Sequence, residues 1–249
     1  MNIILLFIFG LAIGSFLNVV VYRFSQNQSL LFPASHCPHC KRKIKLYDNI
    51  PLISFIILRG RCRFCQKPIA WQYPLVEFFT ALIFVWLYWQ FGLTGQFFTI
   101  LIFALFLVVI FLYDLKYYLI LDRVTIPAAV LAILLNYFIG ADLSNLFLAG
   151  LVGAAFFGLQ YFVSGGRWVG GGDIRLGALM GLMLGWPLLV AALFISYLSG
   201  AVIGLILIGF GKKKMSSQLP FGAILAPATL VTLVYGQALL SWYLNLINL

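Results

Sequence analysis

Long apolar runs alternate with short polar segments along most of the chain, and this pattern predicts membrane-spanning helices. A bilayer crossing needs about 20 apolar residues. By that measure we predict about eight spans, near residues 2–22, 75–92, 96–113, 125–140, 143–163, 174–186, 188–210 and 221–245. The division at Gly185-Trp186-Pro187 is made because 174–210 is too long for one crossing. The predicted fold class is an all-α polytopic membrane protein.

Composition agrees with this pattern. The 249 residues are 63% hydrophobic and only 9% charged, whereas soluble domains average about 25% charged residues. The first apolar run resembles a signal peptide in length, but no basic residues precede it and its positive charges follow it. We therefore expect an uncleaved anchor with the N-terminus outside the cytosol.

The basic residues provide a check on the number of spans. All sixteen lysines and arginines fall on one side if eight spans begin outside: nine after the first span, two after the third, two between the fifth and sixth, and three after the seventh. Basic residues mark cytosolic loops. The net charge of +10 is thus explained by topology, and a nucleic-acid partner is not expected. The expected divisions are a first helix at 1–23, a cytosolic loop at 24–74 and a seven-helix membrane core at 75–249.

The predicted cytosolic loop contains every cysteine of the chain, in the segments CPHC and CRFC. Each Cys-x-x-Cys turn directs two sulfurs to one point, and two such turns complete a tetrahedral zinc site. The loop also repeats weakly with a period of 25 residues, which predicts two similar knuckles. Two disulfides and a redox-active pair are the alternatives, and a reducing cytosol disfavours the first. The expected structural zinc ligands are Cys37, Cys40, Cys62 and Cys65.

Two carboxylates lie at the predicted cytosolic edge of the membrane. Asp114 closes the third span and Asp173 opens the sixth, so two crossings return the chain to the same depth. Ionisable groups in membrane spans are costly and usually functional. When two carboxyl groups lie a few ångströms apart, one keeps its proton while the other can act as base for a water attacking a peptide carbonyl.

Three glycines precede the second of these carboxylates. Without side chains, Gly170, Gly171 and Gly172 would let a substrate backbone approach Asp173. Free N–H groups at the start of the sixth span could bind a substrate carbonyl or an oxyanion. The alternative for Asp173 is an ordinary carboxylate at a helix start.

The other acidic residues have less distinctive settings. We expect Asp122 to cap the fourth span, with a substrate-contacting role as the alternative. Glu77, near the start of the second span, is either a carboxylate interacting with the helix dipole or a functional acid near the cysteine loop. Asp48 is expected to be solvated, and Asp142 to cap the fifth span on the outside.

Taken together, these segments resemble the type IV prepilin peptidases, bacterial members of the Gly-x-Gly-Asp membrane aspartic proteases. The resemblance covers almost the whole chain. Its matching segments are GSFLNVVVYR (14–23), CPHC, CRFC, YPLVEFFTAL (73–82), YDLKYYLILDRVTIP (113–127), GGGDIRLGALMG (170–181) and LPFGAILAPA (219–228).

The resemblance implies removal of the short basic leader from type IV prepilins or pseudopilins at the cytosolic face of the bacterial inner membrane. In many members, S-adenosylmethionine-dependent methylation of the new N-terminus follows. It implies that Asp114 and Asp173 are catalytic, that the four cysteines hold zinc, and that Glu77 matches an acid of the family. Gly14, Asn18 and Arg23 match an N-terminal motif associated with methyl transfer. The basic loop is expected either to face anionic lipid headgroups or to serve only as a topology signal.

Two rival functions remain at this point. An ion-coupled transporter would place carboxylates near the middle of its spans, whereas these lie at the edges. A membrane anchor that displays a zinc loop without catalysis would leave the Gly-Gly-Gly-Asp stretch unexplained.

Overall fold

The computed structural model describes residues 3–30, 32, 34–211 and 218–246, and within them the fold consists of helices, with one long loop between Ser25 and Gln72 that contains a short α-helix. The helices are α1 (Ile3–Ser25), α2 (Ile53–Ile57), α3 (Gln72–Phe91), α4 (Gly95–Tyr117), α5 (Asp122–Phe138), α6 (Leu143–Ser164), α7 (Gly171–Leu184), α8 (Leu188–Gly209) and α9 (Gly222–Leu246). Each predicted span coincides with one of these helices to within a few residues, and the all-α membrane fold class is confirmed.

Helix length divides the helices into two classes. Among the described residues, six helices are long and apolar enough to cross a membrane: α1, α3, α4, α6, α8 and α9. By contrast, α5 has 17 residues and α7 has 14. At about 1.5 Å per residue they reach roughly 25 and 21 Å, short of a hydrocarbon core of about 30 Å. The count of eight crossings therefore stays a prediction.

The break between α7 and α8 lies where it was predicted. Helix α7 ends at Leu184, and Gly185 follows with a φ of 70°, a left-handed value that favours glycine. The next helix begins at Leu188. Residues 174–210 thus form two helices, as their length requires.

The chain divides into two compact units, Met1–Leu93 and Thr94–Leu249. In the first unit α1 packs closely on α3. A Cβ atom added to Gly10 would lie 2.6 Å from the Cα of Ala81, and one added to Gly14 would lie 2.7 Å from the Cα of Glu77. Glycines four residues apart therefore allow the two backbones to touch, a common packing mode of membrane helices.

The second unit contains α4 to α9, and its closest helix pair is α6 with α7. A Cβ on Gly181 would lie 2.3 Å from the carbonyl carbon of Ala149, and one on Gly153 would lie 2.2 Å from the carbonyl oxygen of Gly177. Buried apolar side chains from several helices fill the remaining space, among them Phe103, Leu107, Phe157, Met180 and Leu225.

Helix caps test two of the predictions. Asp142 caps α6 as expected, because its side chain accepts a hydrogen bond of 2.9 Å from the Ser144 N–H. The cap predicted at Asp122 is wrong. Leu121 is the N-cap of α5 and Asp122 is the first helical residue; its carboxylate is instead paired with Arg175. The basic residues Lys212, Lys213 and Lys214 lie outside the described residues.

Candidate active site and cysteine cluster

Asp114 lies in the last turn of α4 and is held by the start of α9. Its side chain is buried, and its Oδ2 accepts a 2.8 Å hydrogen bond from the Ala223 N–H. A Cβ on the preceding Gly222 would lie 3.0 Å from the same oxygen. The first turn of a helix carries unpaired N–H groups that favour negative charge. The sequence thus places a carboxylate against a helix start that lacks a side chain at the point of contact.

Asp173 lies at the start of another helix. It is the third residue of α7, it is buried, and its Oδ2 accepts a 2.7 Å hydrogen bond from the Gly170 N–H. Asp173 therefore stabilises the start of α7, which is the alternative role predicted from the sequence. The N-cap residue is Gly170, and Asp173 hydrogen-bonds to its N–H from the first turn. The second oxygen is not used by this interaction.

The three glycines have different surroundings. Gly170 and Gly171 are exposed, and a Cβ on Gly171 would meet no atom within 4 Å. Gly172 faces inward, where a Cβ would lie 2.9 Å from the Cβ of Ile120. Open space beside Asp173 is therefore found at Gly171, whereas Gly172 is required for packing.

The structure brings Asp114 and Asp173 to the same place. Ile120 lies within contact distance of both Gly172 and Gly222. Gly172 precedes Asp173 in sequence, and Gly222 lies against the side chain of Asp114. The two carboxyl groups also interact electrostatically. Neither forms an ion pair with a described basic side chain; the acids that do so are Asp48 and Asp122. Two buried acids that interact electrostatically and have no described basic partner are suited to acid–base chemistry on a shared proton.

Arg175, two residues after Asp173, forms an ion pair with Asp122. About half of each side chain is exposed, so this pair lies at the surface of the second unit. It joins the first turn of α5 to the first turns of α7. Because solvent screens an exposed ion pair, this one adds little to the free energy of unfolding. What it does is hold the start of α5 beside the start of α7, the helix that carries Asp173.

Tyr197 is a further candidate residue of the active site, and sequence analysis did not identify it. Its hydroxyl donates a 2.8 Å hydrogen bond to Gln160 Oε1, and its phenol interacts electrostatically with Asp173. The ring also lies against Phe156 and Phe221, with centroid distances of 5.8 and 5.1 Å. A single tyrosine within a long apolar run carries no recognisable signal, so only the folded chain places it near the aspartate.

The four cysteines meet in the first unit. Their Sγ atoms all lie within 4.8 Å of one another, and the Sγ atoms of Cys37 and Cys65 are 3.9 Å apart. Four sulfurs about 2.3 Å from a central zinc would be separated by about 3.8 Å. All four thiols are free, so the disulfide alternative finds no support. The donor set fits a tetrahedral metal centre with four cysteine ligands.

The two knuckles repeat each other in detail. In the first, the Cys37 N–H donates to the Arg42 carbonyl and the Ile44 N–H to the Ser35 carbonyl. Twenty-five residues later the Cys62 N–H donates to the Lys67 carbonyl and the Ile69 N–H to the Gly60 carbonyl. The β-bridges His36–Lys43 and Arg61–Pro68 are offset by the same interval. The predicted period of 25 residues is thus a structural repeat.

Backbone N–H groups of the second knuckle point at its first sulfur. Hydrogen bonds from Cys65 and Phe64 lower the pKa of the Cys62 thiol to about 7. A thiolate is the form that binds a metal, so these backbone N–H groups favour the ligating state at Cys62. Burial and hydrogen bonds with the other thiols raise the pKa of Cys65 in the same turn to about 11.

Glu77 and the N-terminal motif belong to the first unit, with the cysteines. Glu77 is buried, and its Oε2 accepts a 2.9 Å hydrogen bond from the Leu52 N–H in the loop. Because α3 begins at Gln72, Glu77 lies too far along the helix to interact with its N-terminal dipole. The structure instead agrees with the other predicted role, that of an acid near the cysteine-bearing loop.

The remaining motif residues fix the ends of that loop. Asn18 donates to the Tyr73 carbonyl at 3.1 Å, and Arg23 donates to the carbonyls of Ser29 and Leu30 at 2.8 Å each. Gly14 packs against Glu77, as described above. The motif GSFLNVVVYR therefore supplies the contacts that join α1 to the loop and to the start of α3.

Comparison with known proteins gives a consistent result. Residues 8–91 match the bacterial peptidase A24 N-terminal domain, and residues 101–205 match the type IV leader peptidase family. These ranges follow the two compact units. No solved structure matches the chain.

Several curated relatives are similar over nearly their full length, and each bears the name prepilin leader peptidase/N-methyltransferase. The protein of Legionella pneumophila is 33% identical, with 96% of this chain and 93% of the relative covered. That of Bacillus subtilis is 32% identical, with 97% and 98% covered. That of Pseudomonas aeruginosa is 32% identical, with 95% and 91% covered. On these grounds, the chain belongs to the type IV leader peptidase family.

Proposed function

We propose that this chain is a membrane aspartic endopeptidase that removes the short basic leader from type IV prepilins or pseudopilins. The observation that carries the proposal is the meeting of Asp114 and Asp173, two buried carboxylates without a described basic partner. Membership of the leader peptidase family and the names of the relatives agree with it.

In the proposed reaction one carboxylate removes a proton from water while the other, protonated, donates to the carbonyl oxygen of the scissile peptide bond. The water oxygen adds to the carbonyl carbon, and the resulting tetrahedral intermediate collapses when the amide nitrogen takes up a proton and leaves. Water is thereby divided between the new carboxyl group and the new amine. Such a pair titrates as a unit.

The surroundings of Asp173 are assigned to substrate binding. The exposed Gly170 and Gly171 give an extended substrate backbone room to approach, while Gly172 keeps Ile120 close. The first-turn N–H groups of α7 face developing negative charge. Asp122 supports substrate binding indirectly, by holding Arg175 at the surface near Asp173. Glu77 belongs to the first unit, where it contacts the cysteine-bearing loop.

The second proposed activity is methylation of the new N-terminus with S-adenosylmethionine as co-substrate. It is supported by the names of the relatives, which join leader peptidase and N-methyltransferase. We assign it to the loop at 24–74 together with the helix at 1–23 and Glu77, which contacts that loop from α3, and we assign the peptidase to the rest of the core at 75–249.

We propose that Cys37, Cys40, Cys62 and Cys65 hold a structural zinc ion. Four sulfur ligands leave no open coordination position, so the metal would stabilise the loop rather than take part in cleavage. The loop's basic residues and the exposed Leu46, Ile53 and Ile56 suit an anionic lipid surface.

The proposed location is the bacterial cytoplasmic membrane, with the N-terminus outside and the cysteine loop in the cytosol. A prepilin keeps its apolar helix in the bilayer while its leader extends into the cytosol, so cleavage requires an acid pair at the cytosolic edge. Nucleic acid is not among the proposed partners, because basic residues placed by topology account for the charge.

Substitution of each aspartate tests the peptidase. Asp114→Asn and Asp173→Asn should each reduce leader removal from a purified prepilin by at least about a hundredfold, since acid–base catalysis by a positioned group contributes roughly 10²- to 10⁴-fold. Mass spectrometry of the product measures cleavage. Asp142→Asn is the matched control, because that residue only caps α6.

The outcomes separate the proposed function from its rivals. Loss of cleavage in both variants with normal expression supports the peptidase. Unchanged processing by either variant contradicts it and favours a non-catalytic anchor. Wild-type protein that cuts no prepilin but drives ion uptake into vesicles would favour a transporter.

A further inference from the structure

The first unit contains a cavity of about 350 Å³ between one face of α1 and the cysteine-bearing loop. On the helix side it runs from Ala12 through Phe16 to Arg23, and on the loop side it includes Ser35 and Asn49. We propose that this cavity is the binding site of the methyl donor S-adenosylmethionine. The inference rests on the methyltransferase half of the proposed function and assigns residues to it.

A buried acid lies directly behind the cavity wall. The side chain of Glu77 is 7% exposed and is bracketed by Ser15 and Leu52: its Oε2 accepts from the Leu52 N–H at 2.9 Å, and the Ser15 hydroxyl interacts with it. Ser15 lines the cavity, and so does Pro51, the neighbour of Leu52.

This carboxylate forms no ion pair with a described side chain, whereas Asp48 and Asp122 each have an arginine partner. A buried charge without an opposite partner is unfavourable. A cationic ligand in the cavity would supply that partner. S-Adenosylmethionine carries a positive sulfonium centre, which distinguishes it from a neutral nucleoside.

The size and lining of the cavity suit the rest of the molecule. Pockets for small ligands enclose about 300–1,000 Å³ and combine apolar walls with a few polar groups. Phe16 and Val19 offer apolar surface to a purine ring, while Ser15, Ser35 and Asn49 offer donors and acceptors to a ribose and an amino acid. A lipid acyl chain could contact the same apolar surface, but it has no positive charge to pair with the carboxylate of Glu77.

Arg23 fixes one edge of the cavity. Its guanidinium donates to the carbonyls of Ser29 and Leu30, and Leu30 lines the cavity. We assign it as a positioning residue, which holds the loop against α1 without touching the reacting atoms.

The methyl-transfer step explains why a charge behind the wall is useful. The lone pair of the substrate amine forms a bond to the methyl carbon, the carbon–sulfur bond breaks, and its electron pair stays on sulfur. The positive charge thus moves from sulfur to nitrogen, which then releases a proton to solvent. The product S-adenosylhomocysteine is a neutral thioether, so Glu77 favours retention of the reactant and release of the product.

Binding to the full-length chain in detergent tests the site without any turnover. Labelled S-adenosylmethionine and S-adenosylhomocysteine are titrated by equilibrium dialysis. Ser35→Trp fills the cavity and should weaken both ligands by at least about tenfold. Glu77→Gln should weaken the sulfonium ligand by about tenfold or more and the thioether by far less, because only one is charged. Gln26→Trp, at an exposed loop position outside the cavity lining, is the matched control and should bind both ligands as the wild type does.

The methylated share of cleaved prepilin is measured in the same samples and should fall at least about tenfold in Ser35→Trp. Normal binding by Ser35→Trp would overturn the assignment. Equal weakening of both ligands by Glu77→Gln would also overturn it, since that pattern reports a purely structural carboxylate. If the wild type binds neither ligand, both the cavity assignment and the methyltransferase fail, and leader cleavage in that sample shows separately whether the peptidase stands.

Discussion

At the scale of single residues, Asp48 shows how a charged side chain stabilises the cysteine loop. Its oxygens accept hydrogen bonds of 2.8 and 3.1 Å from Arg63 Nε and one of 2.6 Å from Arg63 Nη2. Arg63 also lies over the ring of Tyr47. Since Arg63 follows the proposed zinc ligand Cys62 in sequence, the pair fastens the second knuckle to the segment between the knuckles.

This pair predicts a pH-dependent effect on stability. The hydrogen bonds and charge of Arg63 lower the pKa of Asp48, so the folded carboxyl group ionises more readily than the unfolded one. The stabilisation is complete above the ordinary aspartate pKa and is lost as pH falls through the lower, folded value.

We expect Asp48→Asn to lower the melting temperature of the loop at pH 7, and the difference from wild type to shrink only below about pH 4. Differential scanning fluorimetry at several pH values measures it. Zinc loss in acid affects both proteins, so the comparison isolates Asp48. A constant difference down to about pH 3, where a carboxyl group of ordinary pKa is largely protonated, would contradict the assignment.

The acidic residues also show what sequence reasoning reaches at this scale. The two aspartates of the proposed active site were identifiable because a charge at a span edge is rare and each lies in a distinctive segment. The predictions of a solvated Asp48 and a capping Asp122 were wrong for a shared reason. Their partners, Arg63 and Arg175, lie 15 and 53 residues away, and local patterns contain no information on such distant pairings.

At the scale of helices, the hydrophobic runs predicted where each helix begins and ends to within a few residues. They did not predict which helices touch. The contact between α6 and α7 depends on small residues that let backbones approach, and a spacing of four residues between Gly177 and Gly181 was the available signal. Asn136, whose Nδ2 donates to the Leu182 carbonyl at 2.9 Å, adds a polar contact between α5 and α7 that no pattern indicated.

Helix packing predicts a large effect from a single methyl group. In Gly181→Ala the new Cβ would lie 2.3 Å from the backbone of Ala149, so the helices must separate. We expect a loss of about 1–3 kcal/mol of stability, the usual consequence of overpacking. Thermal unfolding in detergent, followed by circular dichroism, measures it.

The same helix pair provides the control. A Cβ on Gly158 meets nothing within 4 Å, so Gly158→Ala should be neutral or should stabilise α6 by up to about 1 kcal/mol through helix propensity. Equal destabilisation by both variants would mean that glycine content, rather than close contact, governs the stability of α6 and α7.

At the scale of the whole molecule, the cysteines and the aspartates occupy different compact units. This separation predicts that metal removal acts locally. A chelator should make the loop sensitive to trypsin, which can cut at Arg59, Arg61 and Arg63, while the second unit resists digestion. Mass spectrometry of the fragments identifies the cuts, and added zinc should restore resistance.

Leader cleavage should fall less than loop integrity in that experiment, because both aspartates belong to the unit without the cysteines. A loop that resists trypsin equally with and without metal would contradict the structural role of zinc. Immediate and complete loss of cleavage before any digestion would indicate that the metal contributes to catalysis.

The two short helices decide the topology of the membrane core, since six crossings and eight crossings place its loops differently. If α5 and α7 did not cross, Asp114 and Asp173 would fall on opposite sides of the membrane, because α6 alone would separate them. Their electrostatic interaction and shared contact with Ile120 require the same side. We therefore expect eight crossings, with local thinning of the bilayer around α7.

Fusion of alkaline phosphatase, which is active only outside the cytosol, tests this topology. A fusion after Ala141, between α5 and α6, should be active, and one after Leu119, between α4 and α5, should be inactive. The two points differ by one helix, α5, so their comparison reports its crossing alone. Inactivity at both points, with both fusions expressed, would show that α5 does not cross, and the positive residues before α7 would then require another explanation.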